Sequence, residues 1–178
     1  MRTSSFAAVL FAAIALAGPA SVQQVTKETV PGVANFARVE TTVACGGVIT
    51  PAAIADLHER GYKSIFNLQL RDERNAHVDE EAAAAHAAGV TFVHVPFTPT
   101  NPDIASVDTF LTEVSKPENQ PAFIHCGGGN RAAGFWMIKR VLVDKWDVDK
   151  AQAEAEALGL SSTPMKQFAL DYINAHKH

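Results

Sequence analysis

Between residues 125 and 131 the chain reads His125-Cys126-Gly127-Gly128-Gly129-Asn130-Arg131. Consecutive glycines let a backbone curl without Cβ clashes, so that its N–H groups can point inward. Such a nest, at the positive end of a helix macrodipole, cradles an anion. Arg131 adds a planar fork that grips two oxygens of a phosphate at once. The same field favours a thiolate over a thiol, which makes Cys126 a nucleophile at neutral pH. A nucleophile and a holder for a tetrahedral oxyanion therefore fall within seven residues. Taken singly these residues say little, because glycine runs are common in loops and a lone cysteine is more often a small core residue. The context separates the two readings: an apolar strand precedes the loop and an apolar helix follows it.

The elements that must position this loop are legible from pattern. Phe36 to Val39 and Thr42 to Cys45 are short strand candidates, the second broken by Gly46-Gly47. Thr50-Pro51 opens a helix, threonine as N-cap and proline at the first helical position, and Gly61 ends it. Ser64 to Leu70 alternates apolar and polar residues, as a strand does. Val78 to Ala88 is an alanine-rich helix closed by Gly89. Val90 to Phe97 is β-branched and aromatic, a strand. Thr98 to Asp103 is a proline-broken loop. Ile104 to Val114 carries a helical apolar stripe. Ala122 to His125 is the short strand before the glycines. Ala132 to Val143, Val148 to Leu158 and Pro164 to Ala175 are helices with no strand between them. Strands alternating with helices imply βαβ units, so the fold class is α/β: one domain with a mostly parallel central sheet flanked by helices and a helical C-terminal part.

These residues resemble the cysteine-dependent protein phosphatase superfamily, tyrosine and dual-specificity types. The similarity is to a bacterial branch related to the phosphatase-like domain of beta-lactamase hydrolase-like proteins. It extends over Gly46-Gly47 and the helix after it, Gly61 to Leu68, Ala88 to Val90 with Val93 to Pro96, and the loop from His125 to Arg131. The resemblance implies a protein tyrosine phosphatase-like fold and a phosphocysteine mechanism. Cys126 would attack phosphorus, and Arg131 with Gly127, Gly128, Gly129 and Asn130 would hold the phosphate. His125 would support the thiolate, and Asn130 could brace the loop. A general acid is expected on the loop after the strand preceding the catalytic one, where Asp103 stands; Asp72 is the substitute candidate, and both positions also suit ordinary helix-end or solvated carboxylates. No cofactor or metal is implied, and the histidines lack tight ligand spacing.

Two departures from the superfamily pattern matter. Four residues, Gly127 to Asn130, separate the cysteine from the arginine, where the usual signature has five. The bacterial branch shares the shorter spacing, and so do rhodaneses. The hydroxyl residue usual after the arginine is Ala132, which puts fast turnover in question. Two rivals follow: a rhodanese-like sulfurtransferase, and an exported module that binds phosphate or another anion with little catalysis. A rhodanese is expected to return to the sheet with another strand after the loop helix. Cys45 is read as a small buried residue, or more sharply as a partner that masks Cys126 by oxidation.

Composition bounds the rest. The 178 residues suffice for one domain, and 47% hydrophobic with 19% charged is ordinary globular usage. A net charge of −4 without a basic run argues against nucleic acid or an anionic membrane surface as partner. The expected partner is a phosphorylated small molecule or protein. Arg2 followed by the apolar run Phe6 to Ala17 and small residues reads as a cleaved signal peptide over residues 1–20, too short to span a bilayer core. Residues 21–33 then form a flexible leader and 34–178 the phosphatase-like domain, periplasmic or secreted, with no stable membrane anchor after cleavage.

Overall fold

Short strands, the central ones buried on both faces, and parallel crossovers together build a six-stranded sheet. In the computed structural model the described residues are 24–39 and 41–177. The expected signal peptide lies outside them. The strands are β1 (Val25–Lys27), β2 (Ala37–Val39), β3 (Val43–Gly46), β4 (Ser64–Asn67), β5 (Thr91–His94) and β6 (Ala122–His125). Their order across the sheet is β1-β2-β3-β6-β4-β5. The four strands β3, β6, β4 and β5 are parallel, whereas β1 and β2 join antiparallel at one edge. The sheet is therefore mixed, with a parallel heart. Val25–Lys27, inside the stretch expected as a leader, forms the edge strand β1. Three residues with one apolar member give no readable alternation.

The helices are α1 (Ala53–Glu59), α2 (Val78–Ala88), α3 (Ile104–Val114), α4 (Asn130–Leu142), α5 (Val148–Leu158) and α6 (Thr163–His176). One face of the sheet, with Ala44, Ile65 and Phe123, packs on Ile54 and Leu57 of α1 and Ala85 of α2. The other, with Cys45, Phe66, Ile124 and Cys126, packs on α3 to α6. A file of rings crosses this larger core: Phe66–Phe110, Phe110–Phe135, Phe135–Phe97 and Phe97–Phe168, with centroids 4.7–5.4 Å apart. Aromatic pairs at such spacing add to their area burial. Helix α4, the helix after the glycine loop, is buried from Ala132 through Ile138. Its polar edge is satisfied internally: Trp136 Nε1 and Arg140 Nε both donate to Glu154 Oε1 of α5 at 2.7 Å.

Several boundaries differ from expectation, each for a local reason. Helix α1 begins at Ala53 with no side-chain cap, because Thr50 and Pro51 form turns whose carbonyls accept from Ala53 N and Ile54 N instead. Strand β4 stops at Asn67, whose Oδ1 accepts Gln69 N at 2.7 Å in a local turn that replaces the ladder. The last parallel contacts continue beyond the named strands, from Leu68 N to His125 O and Val95 N to Asn67 O. No strand follows α4 among the described residues. That is the topology expected of the phosphatase reading rather than of a rhodanese.

Candidate active site

The loop from Cys126 to Gly129 leaves the carboxyl end of β6 between β3 and β4. This is where open α/β sheets gather ligands. Its outer side is anchored. Cys126 N donates to Gly46 O at 3.3 Å, Val48 N donates to Gly127 O at 3.3 Å, and Asn35 Nδ2 donates to Gly128 O at 3.3 Å. In a planar trans peptide the N–H points opposite its carbonyl. The outward carbonyls of Gly127 and Gly128 therefore turn the N–H groups of Gly128 and Gly129 inward. One of them is seen doing so: Gly129 N donates to Cys126 Sγ at 3.1 Å. Gly129 has φ +101°, a conformation side-chain-bearing residues rarely adopt, and it caps the N-terminus of α4. Gly47 serves by close approach, since a Cβ there would lie 3.1 Å from Gly127 O.

Cys126 is 1% exposed, at the base of this curl. Arg131, in the first turn of α4, is held from three sides. Its Nη1 donates to Leu68 O at 3.0 Å and to Phe97 O at 2.8 Å. Glu73 takes the guanidinium with both oxygens, at 2.5 and 2.6 Å. A Cβ placed on Gly127 would lie 3.4 Å from Nη2, so the guanidinium lies against the loop and not out in bulk water. Burial would raise the Glu73 carboxyl, but the Arg131 guanidinium and the Leu70 N–H outweigh it and hold it below the usual carboxylate value. Burial would lower Arg131; the Glu73 carboxylate and the charge of Cys126 more than offset this and raise it. Cys45 is the opposite case. Burial, then the charge of Cys126, pushes its thiol well above the ordinary range, so it stays protonated. It lies opposite Ile124 in the ladder, and both cysteines are free thiols.

The remaining residues singled out from sequence fall as follows. His125 is fully buried, its Nε2 3.1 Å from Glu81 Oε2. Asn130 braces the loop. Its Oδ1 accepts Ser161 N at 2.7 Å and Ser162 N at 2.6 Å, tying the start of α4 to the α5–α6 connection. Asp103 caps α3, with Oδ1 accepting Ala105 N at 3.1 Å and Oδ2 accepting Ser106 Oγ at 3.0 Å. The loop it ends begins at Phe97, whose carbonyl holds Arg131. Asp72 is exposed on the turn after β4. Thr98, Pro99, Glu73, Asn130, Arg131 and Ser162 are among the residues around an open cavity of about 430 Å³ beside the loop.

Sequence reasoning passed over Glu73 and Glu81. Glu73 stands in Arg71-Asp72-Glu73-Arg74, which reads as solvated charge. Glu81 stands in an alanine-rich helix where acidic residues near the N-terminus are commonplace. The readable signal was an arginine that must be buried beside a sulfur and so needs a carboxylate partner.

A family model described as DSP-PTPase phosphatase fused to NAD+ kinase matches residues 16–170. The chain belongs to this family. Among curated relatives, a beta-lactamase hydrolase-like protein of Xylella fastidiosa is 30% identical over 117 residues, covering 62% of this chain and 27% of the relative. The chain thus matches about a quarter of the length of that protein. Among solved structures, P. aeruginosa TpbA in complex with pTyr superposes with a TM-score of 0.65 at 20% identity, covering 88% of this chain and 92% of that one. The core catalytic domain of the S. cerevisiae PP-IP phosphatase SIW14, in complex with citrate, gives 0.64 at 22% identity, covering 83% and 93%. These two likenesses establish a common fold, and the family assignment rests on the model match.

Proposed function

We propose that this member of the phosphatase family hydrolyses phosphate monoesters through a phosphocysteine at Cys126. The observation that carries the reading is a buried sulfur that accepts the Gly129 N–H, beside a guanidinium fixed by Glu73. Positive potential is then assembled before substrate arrives, and catalysis rests on positioning and preorganised electrostatics. In the first half-reaction the Cys126 thiolate forms an S–P bond as the ester P–O bond breaks. The inward N–H groups and Arg131 hold the equatorial oxygens, and Asp103 gives its proton to the leaving oxygen. Water then attacks phosphorus, its proton passes to the Asp103 carboxylate, and the S–P bond breaks to release phosphate and the thiolate.

Asp103 enters this role because its loop starts beside Arg131. To act, its carboxyl must be released from the α3 cap, which costs hydrogen bonds to Ala105 N and Ser106 Oγ. Ala132, fully buried after Arg131, offers no hydroxyl to assist departure of the thiolate. The second step is therefore the slow one. Ala132 also supports the second reading, a phosphate-binding module with little turnover. Pre-steady-state hydrolysis of excess aryl phosphate separates these: a burst lost in Cys126→Ser and slowed in Asp103→Asn supports the phosphatase, and binding of vanadate without any burst supports the module. The substrate is a phosphorylated small molecule or protein; pTyr, bound by TpbA, is a first candidate to assay. Export to the periplasm or beyond, with cleavage of residues 1–20, belongs to the same proposal.

A further inference from the structure

A carboxylate and an imidazole are buried together behind the catalytic loop, and the mechanism above does not use the carboxylate. Glu81, on α2, is 0% exposed. Its Oε2 accepts Asn67 Nδ2 at 2.6 Å and lies 3.1 Å from His125 Nε2. The other oxygen, Oε1, has no hydrogen-bond partner among the described residues, and neither ring nitrogen of His125 has one: the 3.1 Å approach of Nε2 to Oε2 is an ion-pair contact without hydrogen-bond alignment. Among the described residues no lysine or arginine pairs with this carboxylate, whereas Glu154, also fully buried, is met by Arg140 and Trp136. An alanine would suit the neighbouring pattern of α2 at lower cost, because a buried charge without a full partner set is a net destabiliser. A side chain that costs stability and touches the residue next to the nucleophile calls for another role.

We propose that Glu81 is a positioning residue that acts through His125 to sustain the Cys126 thiolate. The proposal rests on the phosphatase reading above. Glu81 meets the tip of the imidazole, Nε2, so the ring lies between the carboxylate and the main chain that leads into Cys126. With the ring protonated, carboxylate and imidazolium would form an oriented pair across the 3.1 Å contact, its positive end nearer the loop. The groups facing the ring are Glu81 from α2, Asn67 from β4, Phe123 from β6, stacked at 5.8 Å, and Gly46 from β3, which has no side chain. Glu81 is the charged one among them. The backbone on either side is immobilised, His125 O by Leu68 N at 2.9 Å and Cys126 N by Gly46 O. A change of charge on the ring is thus felt at the loop and not dissipated by movement. β4 couples the two ends: Asn67 holds Glu81 behind the loop, and Leu68 O holds Arg131 in front.

The test reads the sulfur directly. Thiolate absorbance is titrated against pH in the full chain, with Cys126→Ser as the blank. Glu81→Gln, which keeps volume and removes charge, is expected to move the midpoint up by about one pH unit, and to slow alkylation by iodoacetamide about tenfold below it. His125→Asn gives the same displacement, and the double variant adds none. An unmoved midpoint in Glu81→Gln, whatever happens to activity, overturns the proposal and leaves Glu81 a structural residue. Should the variants fail to fold, ¹⁵N NMR of the wild-type chain decides: a His125 ring protonated on both nitrogens is expected, and a neutral ring overturns the proposal. Neither readout needs turnover. Failure of the phosphatase reading itself shows elsewhere, as aryl phosphate hydrolysis that survives Cys126→Ser.

Discussion

Each end of the glycine loop has its own carboxylate, Glu73 at the mouth and Glu81 behind. Glu73 engages Arg131 bidentately at the mouth. Charge-assisted pairs of this geometry are worth about 1.5–3 kcal/mol. Glu73→Gln is expected to lower kcat/KM for an aryl phosphate by about ten- to a hundredfold, an effect steady-state kinetics can read. The pair also has a defined pH signature. The folded-state value of Glu73 lies below its ordinary 4.5, so its stabilisation is present above 4.5 and is lost as pH falls through the lower folded value. The difference in Tm between wild type and Glu73→Gln should hold from pH 7 to 5 and vanish only in more acid solution. A difference already gone at pH 5 contradicts the pairing. Gly129 supports the loop by conformation: at φ +101°, Gly129→Ala is expected to cost about 1–2 kcal/mol, visible as a drop of a few degrees in Tm, with loss of the burst. Ala132→Ser should quicken release of phosphate from the phosphoenzyme and raise the steady-state rate relative to the burst.

At the scale of elements, the loop is held in place by parts remote in sequence. Asn130 binds the α5–α6 connection through Ser161 and Ser162, so the C-terminal helices stiffen the start of α4. A Cβ on Gly134 would lie 2.6 Å from Met165 Cε, which marks how closely α4 approaches α6. Asn130→Ala removes two backbone contacts at once. Amide exchange at Ser161 and Ser162 should quicken markedly, with little change in the β4 and β6 amides. The glycine loop, the strands before it and the helices after it were readable because they rest on local chemistry: consecutive glycines, apolar and β-branched runs, and apolar residues at helical spacing. Arg131 lies against the loop and Asn130 ties it to the α5–α6 connection. The partners Glu73 and Glu81 were not readable, since Glu73 is 58 residues from Arg131 and Glu81 lies in the distant helix α2, and each looks like surface charge until the sheet brings it in. Strand β1 was missed for a similar reason, since its pairing is set by β2 rather than by its own three residues. Asp103 stands at a helix start and caps it, the helix-end use foreseen for it.

For the whole molecule, the sheet order explains why chemistry gathers at one place. Inserting β6 between β3 and β4 brings the Gly46-Gly47 turn to one side of the loop and the exit of β4, with Leu68 and Glu73, to the other. The helices α3 to α6 then bury the sulfur's face of the sheet, and α1 and α2 bury the histidine's face. Among the described residues no helix is long and apolar enough to cross a membrane. Expression with the native N-terminus, followed by fractionation and mass analysis, should return a chain shortened by the first 17 or 20 residues outside the cytoplasm; an unshortened cytoplasmic chain removes the export proposal. The central claim is that one sulfur carries the phosphoryl group. Wild-type protein mixed with excess aryl phosphate and quenched within the first turnover should show a phosphoryl adduct on the Cys126 peptide, one equivalent of released phenol, and neither in Cys126→Ser. Phenol release undiminished in Cys126→Ser, with no adduct on the wild-type peptide, contradicts it.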